Sequence, residues 1–266
     1  ARLKTRQSLR INSTLVPSFL SQKTRKPFVS LVSSWLCVRY FLVAAMPHWK
    51  EGRTPHSSDI MDRYTSFEEL TRHETEGVDY VILARKGASS VAIIAPHGGG
   101  IEPGTADIAD AVAADQHAFA AFKGIKKTGN AVLHIGSERF DEPTLVRIAE
   151  QSRMVVTIHG CRGEEERVYV GGRNDDVKMR VINALNRAGF PAEACLKLGL
   201  MGRSRQNICN RCRTGQGVQI EISKGLRDKM FECLAKRSIR KKTETFYRFV
   251  RVLRDAIEAE SSLILN

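Results

Sequence analysis

The segment P-H-G-G-G-I-E-P-G-T at residues 96–105 sets a histidine, His97, and a carboxylate, Glu102, five residues apart across three glycines. A second histidine, His159, follows the apolar run M-V-V-T-I and precedes Gly160 and Cys161. Two imidazoles and a carboxylate at neighbouring strand tips make a three-ligand set for zinc, with one position left for water, as a catalytic rather than a structural site requires. A fourth residue, Glu221, stands in V-Q-I-E-I-S at 218–223. Alternation there sends Val218, Ile220 and Ile222 to one face and Gln219, Glu221 and Ser223 to the other. A carboxylate inside an apolar strand is costly unless it is paired or used, and a general base beside metal-activated water is one such use.

Each feature also has a plainer reading. A strand-end histidine is commonly a hydrogen-bonded structural residue, although two together favour a metal. Glu221 equally suits a salt bridge to a neighbouring arginine. H-G-G-G lacks the lysine of a P-loop and the G-x-G-x-x-G spacing of a dinucleotide site, so a phosphate cradle ranks below a metal. Cys209-x-x-Cys212 has no second C-x-x-C pair, which favours free thiols over a structural zinc site.

The elements that must position these residues follow from periodicity. T-S-F-E-E-L from residue 65 is a capping box that predicts a helix of two or three turns. Residues 80–84 and 91–95 are short apolar runs that predict buried strands able to pair as a hairpin. The Ala-rich stretch 105–122 predicts a helix, 131–135 a strand, 144–152 a helix and 154–158 a strand. Asn174 caps a helix in which Val177, Val181 and Leu185 recur every four residues and which Gly189 and Pro191 end. Residues 218–223 form the last strand, and helical pattern resumes from Asp228 and over 243–260. Strands alternating with helices predict an α/β fold: a single domain, residues 46–266, with an open, twisted mixed sheet flanked by helices on both faces. In such sheets binding sites gather beyond the carboxyl ends of the strands, where His97 and His159 fall.

The 266 residues carry 42 Lys+Arg against 29 Asp+Glu, a formal +13 that suggests a polyanionic partner. The charge is unevenly placed. Residues 1–45 hold eight basic residues and no acid, which leaves +5 for the remaining 221. This arm is Arg- and Ser-rich, and it reads as a removed leader or upstream translation ahead of Met46, with a targeting peptide as second choice. Action in the cytoplasm with release on lysis is the favoured expectation, and secretion or organelle targeting follows if the arm is a true leader. No run reaches the roughly 18 uncharged apolar residues of a membrane span, because Arg39 interrupts residues 28–45. Six scattered cysteines do not build a disulfide scaffold. Because the excess charge lies mostly in the arm and no nucleic-acid module follows, no nucleic-acid partner is expected.

Taken together, these residues resemble the poly-γ-glutamate hydrolases of phage and bacteria. The resemblance covers roughly residues 63–250. It rests on I-A-P-H-G-G-G-I-E-P-G-T at 94–105, R-F-D-E-P at 139–143, I-H-G-C at 158–161, V-Y-V-G-G at 168–172, N-I-C-N-R at 207–211 and G-V-Q-I-E-I-S-K-G-L-R at 217–227. It implies a zinc-carboxypeptidase-like fold and hydrolysis of γ-glutamyl amide bonds in an anionic polymer, with one zinc per chain. His97, Glu102 and His159 then look like the zinc ligands and Glu221 like the general base. The motif regions supply Arg139, Arg162, Arg173, Arg203, Arg205 and Arg211, whose guanidinium groups suit carboxylates. Arg211 leads as a substrate contact, with Asn207, Asn210 and Arg139 beside it, and Asp141 is a candidate to orient a ligand histidine. A related zinc hydrolase acting on another acyl amino acid or peptide is the alternative, and a basic nucleic-acid-binding protein ranks last.

Overall fold

We analysed a computed structural model that describes residues 62–262, with side chains through residue 258. The basic arm and Met46 lie outside the described residues. In chain order the elements begin with α1 (Phe67–Thr71), β1 (Tyr80–Arg85), β2 (Val91–Gly99), α2 (Thr105–Ala113), β3 (Ala118–Gly124) and a 3₁₀ turn (Asn130–Leu133). There follow α3 (Pro143–Gln151), β4 (Met154–Cys161), β5 (Val168–Gly172), α4 (Asp175–Arg187), β6 (Ala192–Ala194) and a second 3₁₀ turn (Ile208–Arg211). The chain continues through β7 (Val218–Ser223), α5 (Lys224–Met230), β8 (Phe231–Glu232), β9 (Lys241–Lys242) and α6 (Glu244–Ser262).

Seven strands form one mixed sheet in the order β1-β3-β2-β4-β7-β5-β6. The central strands β3, β2, β4 and β7 are parallel; β1 runs against β3 and β5 against β7, with β6 parallel to β5. Central parallel strands are covered on both sides, which is why their sequences read as continuous apolar runs. On one face Val91, Ile93, Val156, Ile158, Val218 and Ile220 pack with residues of α2, α4 and α6; on the other Ala92, Ile94, Phe122 and Val155 meet Leu70 of α1 and Leu145 of α3. The α/β domain with helices on both faces is therefore as expected. No described helix is long and apolar enough to cross a membrane.

Several local expectations are corrected. β1 and β2 do not form a hairpin: β3 lies between them, antiparallel to β1 and parallel to β2. Gly87 lets the connection pass over the start of β3, since a Cβ there would stand 2.1 Å from the His117 carbonyl carbon. The predicted helix over 105–122 stops at Ala113, and Ala114 turns the chain at φ 45°. Residues 118–124 are strand instead, with Phe119 and Phe122 on opposite faces, because burial between two helical layers outweighs alanine's helix preference. Where a strand was expected over 131–135 the chain makes the 3₁₀ turn Asn130–Leu133, α1 is five residues long, and α5 begins at Lys224, capped by Ser223, rather than at Asp228. β5 and β6 were not expected as strands.

Topology places a crevice where the chain leaves β2 toward one side of the sheet and β4 toward the other. The β2–β4 ladder ends at Ile94 opposite Thr157, so the two strands part before His97 and His159. The α4 stripe anchors the layer behind this crevice: Val177, Val181 and Leu185 are fully buried. Leu185→Ala should lower unfolding free energy by roughly 2–5 kcal/mol, measured by urea denaturation.

Candidate active site

His97 reaches the site through an irregularity in β2. Along β2, Val91, Ile93 and Ala95 face α2. Strict alternation would send His97 the same way. Between Ala95 and Gly98, however, β2 spends one residue more than β3, pairing Ala95 with Ala121 and Gly98 with Lys123. The bulge exchanges the faces beyond it. His97 consequently lies against Phe140, 6.1 Å between ring centroids, on the face that also carries His159 and Glu221. Pro96 sits within the bulge, where a missing N–H costs no ladder hydrogen bond.

The His97 ring is 2 % exposed and places Nε2 2.8 Å from the Ile135 carbonyl. A carbonyl only accepts, so Nε2 carries the hydrogen and Nδ1 of the neutral ring presents a lone pair. Burial, aided by the neighbouring His134, pushes its pKa down to about 4, so the ring is neutral at physiological pH. The turn that follows is closed by the Glu102 amide donating to the His97 carbonyl at 2.9 Å, which folds Glu102 back onto its own strand. One Glu102 oxygen lies 3.2 Å from His97 Nδ1, and the other accepts from the Gly160 amide at 2.8 Å. Burial alone would raise the Glu102 pKa, but the two histidines hold it well below the usual carboxylate range.

His159 Nδ1 stands 3.2 Å from His97 Nδ1 and 3.7 Å from Glu102 Oε2. Two ring nitrogens and the Glu102 carboxylate thus converge. Ligand atoms around a tetrahedral zinc stand roughly 3.3 Å apart, given Zn–N and Zn–O distances of ~2.0–2.2 Å; the two 3.2 Å separations made by His97 Nδ1 come close to that spacing, and His159 lies 3.7 Å from the second carboxylate oxygen. A lone pair on His97 Nδ1 facing a second nitrogen at this distance also calls for a cation or a shared proton between them. The donor set fits a divalent metal, and among the described residues it is the one such cluster of His, Cys, Asp and Glu.

Glu221 lies opposite His159 in the β4–β7 ladder and is 3 % exposed. Among the described residues no Lys or Arg forms an ion pair with it, which removes the salt-bridge reading. Burial, reinforced by the charge of Glu102, pushes its pKa up to about 7, with His159 and the Gln219 hydrogen bond opposing. Gln219, two residues earlier on the same face, donates from Nε2 to Glu221 Oε1 at 2.9 Å and to the Leu200 carbonyl at 3.0 Å. Its own Oε1 accepts from Asn207 Nδ2 at 2.8 Å.

A family model described as poly-gamma-glutamate hydrolase matches residues 64–252. The chain belongs to the poly-γ-glutamate hydrolase family. It is 36% identical over 203 residues to the UPF0714 protein YndL of Bacillus subtilis (strain 168), covering 75% of this chain and 80% of that one. The SPbeta prophage-derived UPF0714 protein YoqZ of the same organism is 35% identical over 202 residues, 75% and 73% of the two chains. Among solved structures, a bacteriophage poly-gamma-glutamate hydrolase superposes with TM-score 0.72 at 31% identity, covering 76% of this chain and 99% of that one. A zinc-free apo form of YndL gives TM-score 0.71 at 34% identity over 75% and 98%.

Within this hydrolase-family fold, most of the other residues proposed from sequence make contacts inside the chain. Asn207 caps the second 3₁₀ turn through the Cys209 amide and holds Gln219. Asn210 donates to the Gly202 and Ser204 carbonyls and accepts from the Gly217 amide, which uses both ends of its amide internally. Arg211 donates to the Gln206 and Glu138 carbonyls. Arg139 pairs with Asp62 at 2.7 Å, and Arg203 with Asp175 at 3.1 Å. Arg173 follows β5 at the amino end of β7, away from Glu221. Asp141 does not touch a ligand histidine: it accepts from the Phe67 amide at 2.6 Å. Cys209 and Cys212 are free, buried thiols in the apolar layer on the α1 and α3 side of the sheet.

Three residues near the site were missed. Asp62 accepts from His134 Nδ1 at 2.6 Å, and the His134 ring lies 4.0 Å from that of His97 between centroids. Arg227 is 5 % exposed and donates to the Ile222, Pro103 and Cys161 carbonyls, tying together the ends of β7, the Glu102 loop and β4. Gly160 is required beside it, since a Cβ would meet the guanidinium carbon at 2.6 Å. Only the general motif G-L-R after β7 hinted at Arg227, while Asp62 and His134 are far apart in sequence and share no motif.

The raised Glu221 pKa has a stability consequence. Its protonated form is favoured in the fold, so its contribution is fully present below the ordinary value of 4.5 and lost as pH rises through about 7. In metal-stripped protein, Glu221→Gln should therefore raise the thermal midpoint relative to wild type at about pH 8 but not at about pH 4, read from paired melting curves. Equal midpoints at both values would mean the carboxyl is not held protonated.

Proposed function

We propose that this protein is a zinc-dependent amidohydrolase that cleaves the γ-glutamyl amide bonds of poly-γ-glutamate. The observation that carries the reading is the convergence of His97 Nδ1, His159 Nδ1 and the Glu102 carboxylate beside a buried Glu221 that has no ion-pair partner, in a chain of this hydrolase family. The solved relative YndL, described as zinc-free in its apo form, supports zinc as the metal. His97, Glu102 and His159 would hold the ion, which supplies a Lewis acid to polarise the scissile carbonyl and acidify water.

The chain's own residues do the rest. The Ile135 carbonyl fixes the His97 tautomer that offers Nδ1. The Gly160 amide fixes the Glu102 carboxylate. Gln219 occupies Glu221 Oε1, which leaves Oε2 to take a proton from the attacking water. The water oxygen bonds to the amide carbon, the carbon–nitrogen bond breaks, and Glu221 returns the proton to the departing amine nitrogen. A pKa near 7 suits both directions of that transfer at neutral pH.

Glu221→Gln should abolish shortening of poly-γ-glutamate, read by size-exclusion chromatography, while bound zinc by elemental analysis stays near one per chain; near-normal turnover would remove Glu221 from the base role. Gln219→Leu, which frees Glu221 Oε1, should lower kcat about 10- to 100-fold with KM little changed.

A further inference from the structure

We propose that the groove between the carboxyl end of β3 and the β8–β9 hairpin is a second binding site for the substrate, an exosite that holds the anionic chain outside the reaction centre. The identity of the polymer rests on the function proposed above; the site itself rests on the groove. It encloses about 630 Å³ and is lined by Lys123, Lys127, Lys236 and Arg237 with three uncharged residues and no acid.

Cations elsewhere on the domain are commonly neutralised by acids: Arg85 by Asp110, Arg167 by Glu193, Lys224 by Asp228. Lys126, in the same stretch of chain as the groove, is bound by Glu74 and Asp79. Among the described residues, the side chains of Lys123, Lys127 and Lys236 have neither an ion pair nor a hydrogen bond. Arg237 is fixed differently, by donating to the carbonyls of Gly124, Ile125 and Lys126. Carbonyls orient a guanidinium without cancelling its charge, so the groove keeps all four positive charges.

A smaller recess of about 90 Å³ shares Lys123 and Arg237 with the groove and adds Arg240, Lys242, Phe231 and one acid, Asp107. The Arg240 side chain is 7 % exposed and bonded to Asp107 and the Leu234 carbonyl, yet its Nη2 is buried without a partner. A buried donor left unpaired beside a cavity is a place for an acceptor oxygen. A carboxylate oxygen of an anionic chain is such an acceptor.

The groove also adjoins the loop that carries Glu102. The Gly124 carbonyl accepts from both Arg237 Nη1 and the Gly100 amide, and Gly100 lies between His97 and Glu102. Gly104, just past Glu102, approaches so close to Phe231 of β8 that a Cβ would stand 2.7 Å from its ring. A polymer with one carboxylate per residue can pair with several of these cations at once. Each exposed pair is weak, but linked pairs act together and raise the local concentration of the next segment at the reaction centre.

The test uses the full chain carrying Lys127→Glu and Lys236→Glu, two exposed positions without partners, so that folding is kept. Affinity for long poly-γ-glutamate is measured on Glu221→Gln protein with and without the two charge reversals. KM and kcat are measured on active protein for long polymer and for γ-glutamyl oligomers too short to reach from the centre to the groove. We expect polymer affinity to fall about tenfold at low salt and KM for long polymer to rise likewise, with kcat and oligomer cleavage unchanged. Unchanged polymer affinity overturns the exosite, as does an equal rise of KM for the oligomers. Loss of affinity for duplex DNA with polymer binding intact would overturn it in favour of a nucleic-acid surface. If wild type cleaves neither polymer nor oligomer, the proposed function fails, and the binding measurement on Glu221→Gln protein still decides the groove.

Discussion

Side-chain alternation in a strand leaves no freedom about which face a residue occupies, and the site depends on one local breach of that rule. His159 and Glu221 reach the α3 face by ordinary alternation along β4 and β7, because Val156, Ile158, Val218 and Ile220 take the other. His97 would be directed to the α2 face in a regular strand, with the whole thickness of the sheet between it and its partners. The extra residue between Ala95 and Gly98 reverses it. The same bulge turns Gly98 toward Ala106 of α2, where a Cβ would come within 2.8 Å of that side chain, so the glycine is the complement of the reversal. The run of glycines after His97 is thus partly a packing requirement and partly the means by which Glu102 folds back.

Once the side chains share a face, their charges must be reconciled with burial. Glu102 and Glu221 are both shielded from solvent, yet they are driven in opposite directions: the histidines on either side keep Glu102 ionised, while Glu221, without an ion-pair partner, is raised toward neutrality. Two carboxylates separated in this way take different tasks, one as a fixed anion and one as a proton carrier. Their separation is maintained by neutral groups. The Gly160 amide and the Gln219 carboxamide bind oxygen without adding a full charge, so orientation is gained while the protonation equilibrium of Glu221 is left open.

The parts of this arrangement that are local in sequence were legible there. The position of His159 at the end of a strand, the in-and-out pattern of Val218–Ser223, and the α4 stripe from Val177 to Leu185 each follow from a few neighbouring residues. What was not legible depends on distant pairing. Residues 118–124 have a helix-forming composition and become strand only because β1 and β2 enclose them. The pairing of Asp62 with His134 spans 72 residues. The bulge has no composition signal beyond Pro96, and without it the shared face of the two histidines cannot be read from alternation. Gln219 was placed on the correct face, but its hold on Glu221 required knowing that Asn207 and Leu200 fix its other contacts.

The arginines show why residue type alone does not fix a role near the site. A guanidinium suits a substrate carboxylate, and it equally suits the backbone carbonyls left at the ends of strands and turns. Arg211, Arg227 and Arg237 all take the second course, donating to carbonyls rather than to acids. This choice has an electrostatic result that a salt bridge would not. An arginine held by carbonyls remains a full positive charge, because the dipoles that orient it carry no net charge of their own. Arg227 and Arg237 secure the loops around the carboxyl ends of the strands by these bonds, and at Arg237 the charge stays uncancelled beside Lys123, Lys127 and Lys236. Scaffold and positive potential are there supplied by the same bonds.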